Sequence, residues 1–308
     1  MNGAIQQALA ELPPLIAAHL RLSGSAIAIG TAAGLPMAIW AARSRRAGGP
    51  LLAAAALVQT IPALALLALF YPLLLALARI TTLPIPALGF LPALLALSLY
   101  ALLPVMRNGV AAIRGIDPAV IEAADGIGMT GMQKLKLVEL PLAAPVIIAG
   151  IRTASVWTIG AATLATTVGQ PSLGDLIFSG LQTENWTRVL AGCFASALLA
   201  LGADGLFALI EAGLARRSRP RIWTGSVLLA AAMAASVAPF ATGHADAPPV
   251  TVGAKNFTEQ YILASAIEQR LQAAGYRTRE SGGLGSAVAY RALAAGDIDV
   301  YVDYGGTL

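Results

Sequence analysis

Hydrophobic positions along most of this chain do not alternate with polar ones; they gather into long blocks. Five apolar runs, at about 15–42, 52–78, 87–106, 141–168 and 189–214, are each long enough to cross about 30 Å of hydrocarbon as helix. A sixth covers about 222–242. Pro62, Pro72, Pro92 and Gly160 fall inside these runs, and helices in lipid keep such residues where neighbours re-satisfy the backbone. The pattern predicts an all-α polytopic membrane domain of five to six transmembrane helices over 1–220, with 221–247 as the sixth apolar segment.

After Pro248-Pro249 the pattern changes. Residues 250–253 read as a strand, and 258–274 as an amphipathic helix with Ile262, Ala266, Ile267 and Leu271 on one face. A strand at 276–279, a helix at 286–295 and a strand at 298–302 follow. That order implies an α/β sheet with right-handed crossovers. The run SGGLGS, 281–286, reads as a turn. So few residues are marginal for a domain, so 248–308 is expected to be an incomplete, partial α/β lobe.

Composition agrees with the pattern. The chain is 57% hydrophobic and 12% charged, where a soluble domain carries about 25% charge. One cysteine, Cys193, lies in an apolar run. It forms no disulfide framework and is expected to be a small packing residue. The net charge of +4 is no nucleic-acid signal, because the basic residues cluster beside apolar runs. Alternate loops hold Arg43, Arg45 and Arg46, then Arg107, Arg114, Lys134 and Lys136, then Arg216, Arg217, Arg219 and Arg221. The opposite loops hold only Arg79 and Arg188. This asymmetry places the first group in the cytoplasm, with the N-terminus and everything after 243 outside an inner membrane. Within the spans, Asp204 and Glu211 are seven apart and share one helix face. Asp204 either lines a translocation path or makes an interhelical hydrogen bond. The second reading is preferred, with Arg152 and Glu211 near interfaces.

One charged segment stands out. EAADGIGMTGMQKLKLVELP, 122–141, lies between two apolar runs on the cytoplasmic side. Asp117 can cap a helix that opens with Pro118. Gly126 and Gly128 punctuate it, and Thr130 with Gln133 has capping-box spacing for a second short helix through about 138. Pro141 then opens the fourth span. The loop at about 117–140 is expected to be compact, rigid and presented to the cytoplasm.

Glu122-Ala123-Ala124, three residues, Gly128, nine residues, then Val138-Glu139-Leu140-Pro141 resembles the EAA loop of ABC importer permeases. Val138 is the one departure, where that pattern has Ile. The resemblance implies a type I ABC importer permease-like fold. It also implies that Glu122, Ala123, Ala124 and Gly128, with Leu140 and Pro141, couple the chain to an ABC ATPase subunit. The chain has no G-x-x-x-x-G-K-[ST], so ATP would be bound by that partner and no cofactor is expected in this chain. Such permeases work as pairs in membrane lipid, which implies a homodimer.

VGAKNFTEQYILA, 252–264, and DVYVDYGGT, 299–307, resemble the substrate-binding proteins of osmoprotectant importers for glycine betaine, carnitine or choline. A quaternary ammonium donates no hydrogen bonds and is held by aromatic faces, about 0.5–2 kcal/mol each. By the match, Tyr304 would be one wall of the cage, and Lys255 and Thr307 would hold a carboxylate. Asp303 and Gly305 depart from the family pattern. The whole chain thus resembles an osmoprotectant permease fused to the start of a glycine-betaine-type binding domain.

Residues 216–247 have a basic start, an apolar core and Ala245-x-Ala247, the shape of a signal peptide. The segment either anchors the outer lobe, the preferred reading, or is cut after Ala247. Two other functions stay open: a ligand-sensing membrane receptor, and an importer for amino acids or another organic cation. A membrane enzyme has little support. His19 and His244 are the only histidines, and neither sits in a metal-ligand cluster.

Overall fold

The computed structural model describes residues 2–44, 46–81, 83, 85–241, 249–255 and 257–304. The first part is helical: α1 (Asn2–Arg43), α2 (Gly48–Thr60), α3 (Ala63–Thr81), α4 (Phe90–Arg114), α5 (Pro118–Gly126), α6 (Gly131–Lys134), α7 (Leu140–Ala162), α8 (Gly174–Gln182), α9 (Trp186–Ala215) and α10 (Arg219–Ala241). Among the described residues, six helical stretches are long and apolar enough to cross a membrane.

α1, α4 and α7 form the centre of the bundle. Small residues line their seams. Ala38 and Ala41 meet Val110, and Ala101 and Val105 meet Ala154. A Cβ on Gly109 would lie 2.7 Å from the Ala38 Cβ, so the two backbones approach closely. Helices in lipid associate through this packing, because burial from water contributes nothing there. α9 lies against α7, and α10 packs on α9 and α1. Cys193 is exposed on α9, beside Leu190, Phe194 and Leu198 on the outer surface. It is not a core packing residue, because α9 is peripheral.

Three helical boundaries depart from the sequence reading. The run at 52–78 is not one helix: it breaks at Ile61, whose ψ of 125° is extended, as the residue before Pro62 tends to be. Tyr100 Oη donates to the freed Ile61 carbonyl at 2.9 Å. The second loop helix is not separate from the fourth span. α6 continues through a π-helical turn, Leu135–Glu139, directly into α7. α8 has no counterpart among the predicted elements; at nine residues it is too short for a membrane-span signal.

The remaining segment is a parallel three-stranded sheet with order β2-β1-β3. It comprises β1 (Val250–Lys255), α11 (Thr258–Ala273), β2 (Thr278–Leu284), α12 (Ser286–Ala295) and β3 (Val300–Tyr301). Two local expectations change. β2 includes the SGGL run expected to turn. Its glycines seat the strand against a ring: a Cβ on Gly282 would lie 2.9 Å from Tyr261 Cε1. The buried face of α11 carries Tyr261, Ala264, Ile267 and Leu271, while Ile262 is 65% exposed. The apolar set was compatible with two faces, and the sheet selected one.

The lobe seats on one end of the bundle. Leu284, Ala289, Ala292 and Ile298 bury against Tyr71, Leu74, Ala87 and Leu88. Thr258 Oγ1 donates to the Gln182 carbonyl at 2.7 Å. The loop over α5 and α6 lies at the other end, between the C-terminus of α4 and the start of α7.

Candidate functional site

The loop builds itself from local rules. Asp117 Oδ1 accepts from Ala119 N–H at 2.9 Å, capping α5. Thr130 and Gln133 form the reciprocal capping box of α6. Lys134 Nζ reaches both Asp125 oxygens, at 2.6 and 2.8 Å, and ties the two helices together. Between them Gly128 has φ +75°, and a Cβ there would meet nothing within 4 Å.

The sequence-predicted residues fall on this surface as follows. Glu122, Ala123 and Gly128 are exposed, and Ala124 is buried beneath them. Leu140 and Pro141 begin α7 on the bundle side. Around the bend, Ile127, Met132 and Leu137 are 74%, 60% and 66% exposed. The loop thus leaves three large apolar side chains exposed. The motif did not name them, although Ile127 and Met132 each stand beside a glycine in the sequence.

In the lobe, Lys255 is completely buried. Its ammonium is ion-paired with Asp303 and lies 5.4 Å from the centre of the Tyr301 ring. Tyr301 Oη donates to the other Asp303 oxygen at 2.7 Å. That carboxylate, together with burial, pushes the Tyr301 hydroxyl up to about 12, burial being the larger cause. Tyr304 is 42% exposed, and its N–H donates to Asp303 at 2.8 Å. Lys255 and Tyr304 are thus brought together through Asp303. Tyr301 and Asp303 were not singled out as site residues; their alternation in DVYVDY on a strand was the available signal. Thr307 lies outside the described residues, as do Ala245 and Ala247.

Between lobe and bundle lies a cavity of about 280 Å³. Glu11, Asp175, Arg188, Tyr261 and Glu280 line it. Arg188 donates to Glu11 at 3.0 and 2.6 Å. Burial, with Glu268 and Asp175 nearby, raises the Glu280 carboxyl to about 7. Burial raises Asp175 to about 6, against a hydrogen bond from Thr166. No single segment announces this cavity, because each wall comes from a different element.

Inside the bundle, Arg152 of α7 grips Asp204 of α9. Nη2 donates at 2.8 Å, and Nη1 lies 3.5 Å from Glu211. The interhelical tie preferred from the sequence is what α7 and α9 contain. Arg152 and Glu211 are its partners rather than separate interfacial charges. His19 is also structural: Nε2 donates to the Ile159 carbonyl at 3.0 Å, and Nδ1 accepts from Leu173 N–H at 3.3 Å.

Comparison with known proteins adds to this geometry. The family model for binding-protein-dependent transport system inner membrane components matches residues 34–216. The model for the substrate binding domain of the ABC-type glycine betaine transport system matches 248–308. A choline transport system permease protein of Bacillus subtilis is 37% identical over 66% of this chain and 88% of its own length. An osmoprotectant import permease protein of Salmonella typhimurium is 38% identical over 61% of this chain and 84% of its own. Among solved structures, an inward-facing MetNI methionine ABC transporter aligns with a TM-score of 0.53 at 20% identity. It covers 71% of this chain and 94% of that one, a likeness of fold alone.

Proposed function

The chain belongs to the family of binding-protein-dependent transport system inner membrane components, and from that premise we propose how it works and what it carries. It is a multi-pass membrane permease of an ABC importer. Its cargo is proposed to be a quaternary-ammonium osmoprotectant such as glycine betaine, carnitine or choline. One observation carries the reading: a single chain presents a self-capped EAA-type loop at one end of the bundle and a glycine-betaine-type lobe at the other.

In this reading a separate ABC ATPase binds ATP and docks on Glu122, Ala123, Gly128 and the apolar rim of Ile127, Met132 and Leu137. Ala124 stiffens the bend from below, and Leu140 and Pro141 pass its movement into α7. The basic residues flanking that end support a cytoplasmic position for it, with the lobe outside. Two copies of the chain, set in lipid, enclose the path. In the lobe, Tyr301 and Tyr304 offer aromatic faces to the ammonium, and the resemblance assigns Thr307 to the ligand carboxylate. Lys255 holds a ligand carboxylate by exchanging Asp303.

Reconstitution of the chain with its ATPase in proteoliposomes tests this. Radiolabelled glycine betaine and choline should accumulate only with ATP inside the assay's ATPase compartment. Excess carnitine should compete, and amino acids should not. Competition by amino acids and not by betaines would replace the cargo. Ligand binding without ATP-dependent uptake would favour a sensor.

A further inference from the structure

The coupling loop leaves its exposed surface through the π-helical turn at 135–139, where Leu140 N–H bonds back to the Leu135 carbonyl. A π turn has a rarer and less regular hydrogen-bond repeat than the α-helix on either side. A push on the loop would bend such a joint before it moved α7. One side chain spans the joint. Glu139, the last residue of the π turn, is 5% exposed, and Arg43 Nη2 donates to its Oε2 at 2.6 Å. Removing a carboxylate this far from water is costly unless a cation matches it.

Arg43 is the last residue of α1. The same end of α1 is held from the loop's other side. Arg114, which ends α4, donates to the Ala41 carbonyl at 2.9 Å and to the Ala42 carbonyl at 3.3 Å. The tip of α1 is therefore gripped both where the loop begins and where it ends. α1 is 42 residues long, or about 63 Å at 1.5 Å per residue. Its far end carries Glu11, bound by Arg188 in the wall of the cavity beneath the lobe.

We propose that Glu139 and Arg43 are positioning residues that clamp the coupling loop to α1. The loop's displacement then travels along α1 as well as α7, toward the end of the bundle that bears the lobe. Neither residue belongs to the motif positions that face the ATPase. The inference rests on the reading of 117–140 as the ATPase-coupling loop.

The test compares uptake of labelled glycine betaine with ATP hydrolysis in the same proteoliposomes, using the full chain and its ATPase. Glu139→Gln and Arg43→Gln should keep ATPase binding and most of the hydrolysis, yet move at least about tenfold less substrate per ATP. The exchanged pair, Glu139→Arg with Arg43→Glu, should recover most of that ratio. A merely structural role would lower membrane content and both rates together, leaving uptake per ATP unchanged; that result in Glu139→Gln overturns the clamp. A lowered ratio that the exchanged pair does not raise above the single variants also overturns it. Gly128→Asp is run alongside. If it transports normally, the loop reading falls and the clamp with it. If it stops uptake while Glu139→Gln keeps the wild-type ratio, only the clamp falls.

Discussion

The two ends of the bundle are built on different principles. The coupling loop is contiguous from α5 through α6: every cap and tie there joins residues no more than nine positions apart. Its exposed apolar residues have no cover from the chain itself. The lobe end is assembled from afar. Glu11 meets Arg188, Thr258 meets Gln182, and Ile298 packs near Tyr71. A surface meant for a partner can be prefolded by local rules. A seat between two parts of one chain needs the whole fold before it exists.

The largest expected effect breaks the coupling end. Gly128→Asp should abolish uptake while protein content in the membrane stays at wild-type level, as read by transport assay and immunoblot. Asp tolerates the left-handed backbone better than most residues, and the chain leaves the space open. On the proposed docking, the added side chain meets the ATPase and no side chain of this chain.

Next comes the tie between α7 and α9. Arg152→Ala leaves Asp204 and Glu211 without their cation at membrane depth. The loss should be seen as a lower unfolding temperature in detergent. The triple variant Arg152→Met, Asp204→Leu, Glu211→Leu should recover most of it.

A smaller effect sharpens the lobe end. Desolvation in the cavity wall raises the Glu280 and Asp175 carboxyls, to about 7 and about 6. A raised carboxyl binds its proton more tightly in the docked state. Its contribution is therefore full below the ordinary carboxylate range and is lost as pH rises through about 6–7. Spin-label distances between positions 182 and 258 should be narrow at about pH 5 and broader at about pH 8, with Glu280→Gln removing most of the difference. A distance distribution unchanged across that range would argue against an acid-sensitive seat.

The smallest effect is local. Asp117→Ala removes one cap from α5 and should cost about 1 kcal/mol. Faster hydrogen exchange should be confined to 118–126, with none at the lobe.

Legibility in the sequence follows the same division. Apolar block length determined the membrane class, because crossing a fixed thickness of hydrocarbon needs a fixed run of helix. Asp117, Thr130 and Gln133 determined the loop's caps, because caps are satisfied within one turn. The order of strands and helices after Pro249 determined a parallel sheet. Tertiary structure alone decided which face of α11 is buried, and that SGGL is strand rather than turn. It alone joined Arg43 to Glu139, Arg152 to Asp204 and Lys255 to Asp303. Each of those outcomes depends on a partner far along the chain, and spacing carries no record of a contact that only packing creates.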